Sequence, residues 1–236
     1  MSQAQSSPIH DSEPVLERIA FHDMEFLAQN AQLRRLQIGG REVMRSVGLV
    51  IRDGFWGTHR LQQQQCETWW EGEHWRRHIG GFVQGTAGSA LHWHLNMNVH
   101  RDGMSVSAEL RAAEDFQTCR AGLMLLHPLC GVVGAPVTVI HNDGSRRSGS
   151  FPDLISPPQP FFDIQGLIHS PAENLTLEWR LSGDVFEMED QRNWSDASFK
   201  TYNRPLAWPC PYVIGAGEQV EQRIELRVLR HEVRQS

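Results

Sequence analysis

Residues 91–111, LHWHLNMNVHRDGMSVSAELR, constrain the fold more than any other stretch of this chain. Trp93, Leu95, Met97 and Val99 alternate with His92, His94, Asn96, Asn98 and His100. After Arg101-Asp102-Gly103, Met104, Val106, Ala108 and Leu110 alternate with Ser105, Ser107, Glu109 and Arg111. A period of two is what a strand with one face in a core requires, because successive side chains point to opposite faces. Asp-Gly is a hairpin turn signal. A turn at Asp102-Gly103 pairs Arg101 with Met104, Val99 with Val106, Met97 with Ala108 and Leu95 with Leu110. Every apolar residue then lies on one face, and a one-residue slip would turn one strand's apolar set to solvent.

The same alternation recurs along the chain, and sustained helical periodicity is nearly absent. NLTLEWRLSGDVFEMED reads as a second hairpin turning at Gly183-Asp184, with Leu181 opposite Phe186, Trp179 opposite Met188, Arg180 opposite Glu187 and Glu178 opposite Glu189. In that register Asp190 falls on the apolar side, so either the strand ends at Met188 or Asp190 is buried with a partner. LRRLQIGGREVMRSVGLVIRD reads as two or three strands turning at Gly39-Gly40, and APVTVIHNDGS as a strand entering a turn at Asp143-Gly144. RAGLMLLHP, 120–128, reads as a strand buried on both faces. QVEQRIELRVLR closes the series with Val220, Ile224, Leu226 and Val228 on its apolar face. Residues 151–163, FPDLISPPQPFFD, carry four prolines and cannot be central sheet; they read as a long ordered loop or an edge. Many strands with closely spaced turn signals define an all-β chain, an antiparallel β-sandwich or barrel. Its organisation reads as a disordered tail over 1–13 and one domain over 14–236.

At this length, 236 residues, a chain buries roughly three quarters of its unfolded surface. A net charge of −6 without a basic block argues against nucleic acid as a partner. No apolar run approaches the ~20 residues that span a bilayer, and the N-terminus lacks a charged-then-apolar signal pattern. Cys66, Cys119, Cys130 and Cys210 are scattered without a CxxC pair, so free thiols in a cytoplasmic protein are expected. An edge-rich β protein is also a natural candidate for a homodimer, although the sequence does not decide oligomeric state.

Chemistry is suggested in a few places. The chain has no G-x-S-x-G elbow, HExxH helix, P-loop or GxGxxG fingerprint. His92, His94 and His100 share one strand face and His78 could join them, but without a tightly spaced acidic or Cys ligand they read as surface histidines, and no metal or cofactor is expected. Facing carboxylates at Glu178 and Glu189 would form an acid/base pair in a low-dielectric cleft, or be relieved by Arg180 and Arg192 on an open surface. Asp190, Gln191, Arg192, Asn193 and Trp194, followed by Lys200 and Tyr202, supply the directional donors and acceptors and the stacking ring that a sugar needs. His127, at the end of the buried run, is a candidate general acid or base.

RAGLMLLHPLCGVVGAPVTV, FPDLISPPQPFFDIQGLIHS and FEMEDQRNWSDASFKTYNRPL resemble the D-apionate lactonase family, sugar-acid lactone hydrolases of branched-pentose catabolism. The resemblance runs from about residue 33, through GGREVMRSVGLVIRDGFWGT, to the last strand. More distantly, RxGxxxLHP is similar to galactose-mutarotase-like supersandwiches. That resemblance implies a sugar lying across a concave sheet between Glu187 or Glu189 and His127. Lactonases of the family are longer, with a large part after this β region, and no catalytic residue is carried over from them. These readings together predict action on a sugar or sugar-acid lactone. Water would attack the carbonyl, Glu187, Glu189 or His127 would act as base, and Arg192 or Lys200 would stabilise the oxyanion. Asp190, Arg192, Asn193, Trp194, Lys200 and Tyr202 would bind substrate. The alternatives are an aldose mutarotase or epimerase using the same pair, and a non-catalytic carbohydrate-binding domain.

Overall fold

A computed structural model describes residues 16–85 and 88–230, so the tail expected over 1–13 lies outside the described residues. The alternation becomes strands throughout: β1 (Glu17–Phe21), β2 (Met24–Gln29), β3 (Gln32–Ile38), β4 (Arg41–Arg52), β5 (Gln62–Glu71), β6 (His74–Gln84), β7 (Ala90–His100), β8 (Gly103–Ala112) and β9 (Phe116–Thr118). There follow β10 (Arg120–Pro128), β11 (Pro136–His141), β12 (Arg146–Ser150), β13 (Phe161–Ala172), β14 (Leu175–Ser182), β15 (Phe186–Asp190), β16 (Ser198–Asn203), β17 (Tyr212–Ile214) and β18 (Gln219–Arg230). One antiparallel path runs β1-β2-β3-β4-β10-β16-β15-β13-β14-β18-β8-β7-β6-β5, with β11 and β12 branching from β13 and a separate β9-β17 ribbon.

The path folds over on itself. Phe26 of β2 meets Trp75 of β6 at 5.1 Å, and His127 of β10 meets Trp179 of β14 edge-on at 5.7 Å. Gln222 of β18 accepts the Leu123 amide of β10 at 2.8 Å. The β4-β10-β16-β15 half and the β14-β18-β8-β7-β6 half thus enclose one core, in which Trp75, Trp93 and Trp179 are fully buried. Burial is the main driving term here, each large side chain contributing on the order of 2–3 kcal/mol. The loop expected over 151–163 is present over 151–160, between β12 and β13, while residues 161–163 open β13, which pairs with β15.

The leading hairpin forms, with a correction. Val99 pairs with Met104, Met97 with Val106, Leu95 with Ala108 and Trp93 with Leu110, two residues away from the register expected for a turn at Asp102-Gly103. A shift of two preserves every face, so core burial does not choose between the two registers. The pairing of β8 with β18 helps to set it: Gly103 lies where an added Cβ would stand 1.9 Å from the Leu226 carbonyl oxygen, inside the ladder rather than in a turn. As a result Glu109, not Arg111, lies opposite His94.

The second expected hairpin does not form. β14 pairs with β13 and β18, whereas β15 pairs with β16 and β13. Gly183 is required for a different reason from the one its turn signal suggests, since a Cβ there would stand 1.8 Å from the Glu221 carbonyl oxygen. Glu178 therefore never faces Glu189; it bonds Arg180 at 2.9 Å. The cysteine reading is corrected too. Cys119 and Cys210 are disulfide-bonded, which removes the argument from free thiols to a cytoplasmic location, while Cys66 and Cys130 are free and exposed. No described helix is long and apolar enough to cross a membrane.

Candidate functional site

The stretch FEMED, β15, alternates strictly: Phe186 and Met188 are fully buried, and Glu187 and Glu189 point the other way. A 3-10 turn, Gln191–Trp194, returns the chain as β16, which sets Tyr202 opposite Glu187 and Lys200 opposite Glu189. Directly opposed residues of an antiparallel ladder share a face. Met124 and Leu126 of β10 continue those two rows. Arg120, four residues before Met124, stacks its guanidinium 3.8 Å from the centre of the Tyr202 ring and so joins the same face. Arg52, at the end of β4, is paired with Arg120.

On this outer face the side chains form a matched polar cluster between two loops, called the hollow below. Lys200 Nζ lies 2.6 Å from Glu189 Oε2, and Trp194 Nε1 donates to Glu189 Oε1 at 2.8 Å. Tyr202 Oη donates to Glu187 Oε1 at 2.6 Å, and the Leu206 amide donates to the same oxygen at 2.8 Å. Burial alone would raise the Glu189 carboxyl, but the bonds from Lys200 and Trp194 outweigh it and hold it below the ordinary glutamate range. Desolvation lowers Lys200 against the opposing pull of Glu189, and both desolvation and the Glu187 carboxylate push the Tyr202 phenol upward. Trp194 stands 71% exposed at the rim.

Two loops frame the hollow. In Arg52-Asp53-Gly54-Phe55-Trp56-Gly57 the Asp53 carboxylate accepts the Phe55 and Gly57 amides, both at 2.8 Å, and sets Trp56 with its ring 5.3 Å from the Arg120 guanidinium. A Cβ at 57 would stand 2.4 Å from Asp53 Oδ2 and push aside the carboxylate that shapes this turn. The other loop, 204–211, is tied beside Arg120 by the Cys119–Cys210 disulfide.

The remaining sequence-predicted residues lie on the opposite face. Asp190 pairs with Phe199, and Phe199 with His127, all of them pointing into the core. The expected hollow shared by His127 and the acidic ribbon is therefore corrected: one sheet separates them. His127 is fully buried, donates to or accepts from Thr201 Oγ1 at 2.9 Å, and is held neutral to about 3 by desolvation and by the neighbouring His169. Asp190 is buried as the alternative reading required. Its two oxygens take Arg192 Nε and Nη2 at 2.9 and 2.8 Å, and Oδ2 also accepts the Ser156 amide. The other Arg192 bonds go to the carbonyls of Pro152, Asp153 and Leu154, and Asn193 donates to that of Ser156. These three residues clamp the proline-rich loop to the sheet. Position parity explains the split, since residues 187 and 189 differ from 190 by an odd step.

Arg52, Trp56 and Arg120 were not singled out from sequence. The available signal is a lone arginine opening an otherwise apolar strand, RAGLMLLHP. Two open depressions, of about 470 and 410 Å³, lie elsewhere, on the polar face of the second half. The first is lined by His92, His94, Glu109 and Arg111, and the second by Glu178, Arg180, Arg223 and Glu225. His78 and His94 stack at 5.6 Å and are bridged by Gln65 Nε2, and among the described residues no three His, Cys, Asp or Glu side chains gather as a metal site.

The architecture is that of the galactose-mutarotase-like supersandwiches. It matches galactose 1-epimerase from Lactobacillus acidophilus with a TM-score of 0.59 at 8% identity, over 97% of this chain and 98% of that one. A galactose mutarotase-like protein from Clostridium acetobutylicum matches with a TM-score of 0.58 at 8% identity, over 95% and 98%. Likeness at that identity shows the fold alone. The family comes from sequence: residues 5–231 match the D-apionate lactonase N-terminal domain, and the chain belongs to that family. A D-apionate lactonase of Brucella anthropi is 39% identical over 207 residues, which cover 84% of this chain and 33% of the relative. The chain thus spans about a third of that relative's length.

Proposed function

We propose that this chain binds a sugar-acid lactone in the outer hollow and takes part in its hydrolysis. The observation that carries the reading is the Lys200–Glu189 ion pair beneath Trp194, in a chain 39% identical to a D-apionate lactonase. The sugar ring would stack on Trp194, with its hydroxyls bonded by Glu189, Lys200 and Tyr202. Glu189 stays ionised through the neutral range, so it can orient a water and accept its proton as the new C–O bond forms. Its depressed pKa makes it a weak base, which suits an activated ester rather than an amide. Lys200, paired with it, is the donor for the carbonyl oxygen as negative charge develops there, an effect often worth about 3 kcal/mol. The ring C–O bond then breaks, the proton held by Glu189 passes to the leaving ring oxygen, and the hydroxy acid is formed with the carboxylate restored. His127 and Arg192 have no part in these steps, because they lie on the other side of the sheet.

A mutarotase mechanism loses its support with the loss of the His127–glutamate pairing. The test is a panel of aldonolactones and free aldoses, followed by acid release and by polarimetry. Acid release that falls at least ~100-fold in both Glu189→Gln and Lys200→Met supports the proposal. Optical change without acid would indicate anomeric interconversion, and binding without either would leave a carbohydrate-binding domain. Both results overturn hydrolysis by this chain.

A further inference from the structure

Among the described residues, Arg120 is a buried cation lacking the acceptors that its setting demands. The residue is 6% exposed, and its Nε and Nη2 have no hydrogen-bond acceptor among the described residues. Burying a charge without such partners costs several kcal/mol, so a fold retains one only where something else repays it. Glu189 and Glu187 attract it through space, but neither hydrogen-bonds its Nε or Nη2. Glu187 Oε1 is taken by Tyr202 and the Leu206 amide, and the two Glu189 oxygens are taken by Lys200 and Trp194.

Arg192 supplies the comparison within the same molecule. Its Nε and Nη2 grip both oxygens of Asp190 at 2.9 and 2.8 Å, the side-on fork of a guanidinium on a carboxylate. Arg120 holds that same pair of nitrogens without a carboxylate, both of them shielded from solvent in this structure. Its plane is fixed between Tyr202, 3.8 Å from the ring centre, and Trp56, 5.3 Å away, and its backbone is fixed by Thr118 and by the Cys119–Cys210 disulfide. The donors are thus preorganised as well as unmatched, and lysine could not reproduce the fork.

We propose that Arg120 is the anion-recognition residue of the hollow, receiving side-on the carboxylate of the open-chain sugar acid. This rests on the sugar-acid reading given above. In a lactone the carbonyl carbon carries no charge; ring opening by water turns it into a carboxylate and releases a proton. The residue therefore selects the acid over neutral sugars of the same shape and retains the hydrolysis product.

Calorimetric titration of the 236-residue chain with D-apionate and D-ribonate, their neutral amides and their lactones tests this. The wild-type chain is expected to bind an acid at least ~10-fold more tightly than its amide, the scale of charge-assisted hydrogen bonds. Arg120→Met should erase that preference, and Arg120→Lys should restore part of it. Equal affinity of the wild type for acid and amide overturns the proposal without needing any variant to fold, and so does an undiminished preference in Arg120→Met. If neither acid, amide nor lactone binds, the sugar-acid reading fails first and this inference falls with it. Lactone binding without acid preference removes the inference alone.

Discussion

Replacing Arg192 with alanine separates a structural clamp from a catalytic group. In the structure the Asp190 side chain is 0% exposed and that of Arg192 14%, and their paired bonds are joined by three more from Arg192 to the carbonyls of the 151–160 loop. Removing one member of a buried ion pair costs about 3–5 kcal/mol, because the other charge stays buried. For a chain of this size each kcal/mol shifts the melting temperature by about 2–4 °C, so a fall of about 6–20 °C is expected. Urea denaturation gives the stability, and hydrogen exchange of residues 151–160 shows whether the loop is released. Ligand affinity of the folded protein should stay within about threefold, because the clamp lies on the far side of the sheet. Stability unchanged within about 0.5 kcal/mol, or turnover lost with stability intact, would refute the assignment. The pH dependence has a definite sign. Burial would raise Asp190, but the bonds from Arg192 and the Ser156 amide win and hold it below its ordinary value. Its contribution is therefore complete above the unfolded aspartate pKa near 4 and is lost as pH falls through the lower folded value.

Other outcomes follow from the same geometry. His127 and His169 are held neutral by burial down to about 3 and about 4, while in the unfolded chain they protonate near 6.5. Stability should be complete above that unfolded value and fall between about pH 6.5 and 4, by about 1.4 kcal/mol per pH unit for each histidine, and His127→Gln should flatten the curve; a flat wild-type profile would contradict this. Glu189→Gln and Lys200→Met should each destabilise, while the double variant loses less than the sum by about 1–3 kcal/mol in a denaturation cycle; strict additivity would deny the pair any energetic coupling. Reducing Cys119–Cys210, which closes a sequence separation of 91, should lower stability by up to about 4–5 kcal/mol and raise exchange in residues 204–211; indifference to a dithiol would show that the loop is held without it.

Part of this molecule was legible from residue order alone. Alternation placed Trp93, Leu95, Met97 and Val99 in the core, and Phe186 and Met188 inward with Glu187 and Glu189 outward, because strand geometry makes facing a local property. The turn at Gly39-Gly40 and the exclusion of 151–160 from the sheet were local as well, set by backbone freedom and missing amide donors. Family membership also shows in contiguous strings such as FEMEDQRNW.

Partnership is not local. Gly183-Asp184 carries the signature of a hairpin, yet β14 and β15 part company because the β18 backbone presses on Gly183 and Lys200 offers Glu189 an opposite charge. The first hairpin kept its faces and changed its register by two residues, a choice to which hydrophobic pattern is blind. Which side of the sheet His127 occupies relative to Glu189 depends on the ladder joining β10, β16 and β15, and a ladder couples residues more than 60 positions apart. Sequence by itself determined which residues each strand turns inward, since that follows from the period of the backbone. Only the tertiary structure decided which strands meet, and so brought Arg120, Lys200 and Glu189 to one hollow, because pairing is won by competition among all available edges.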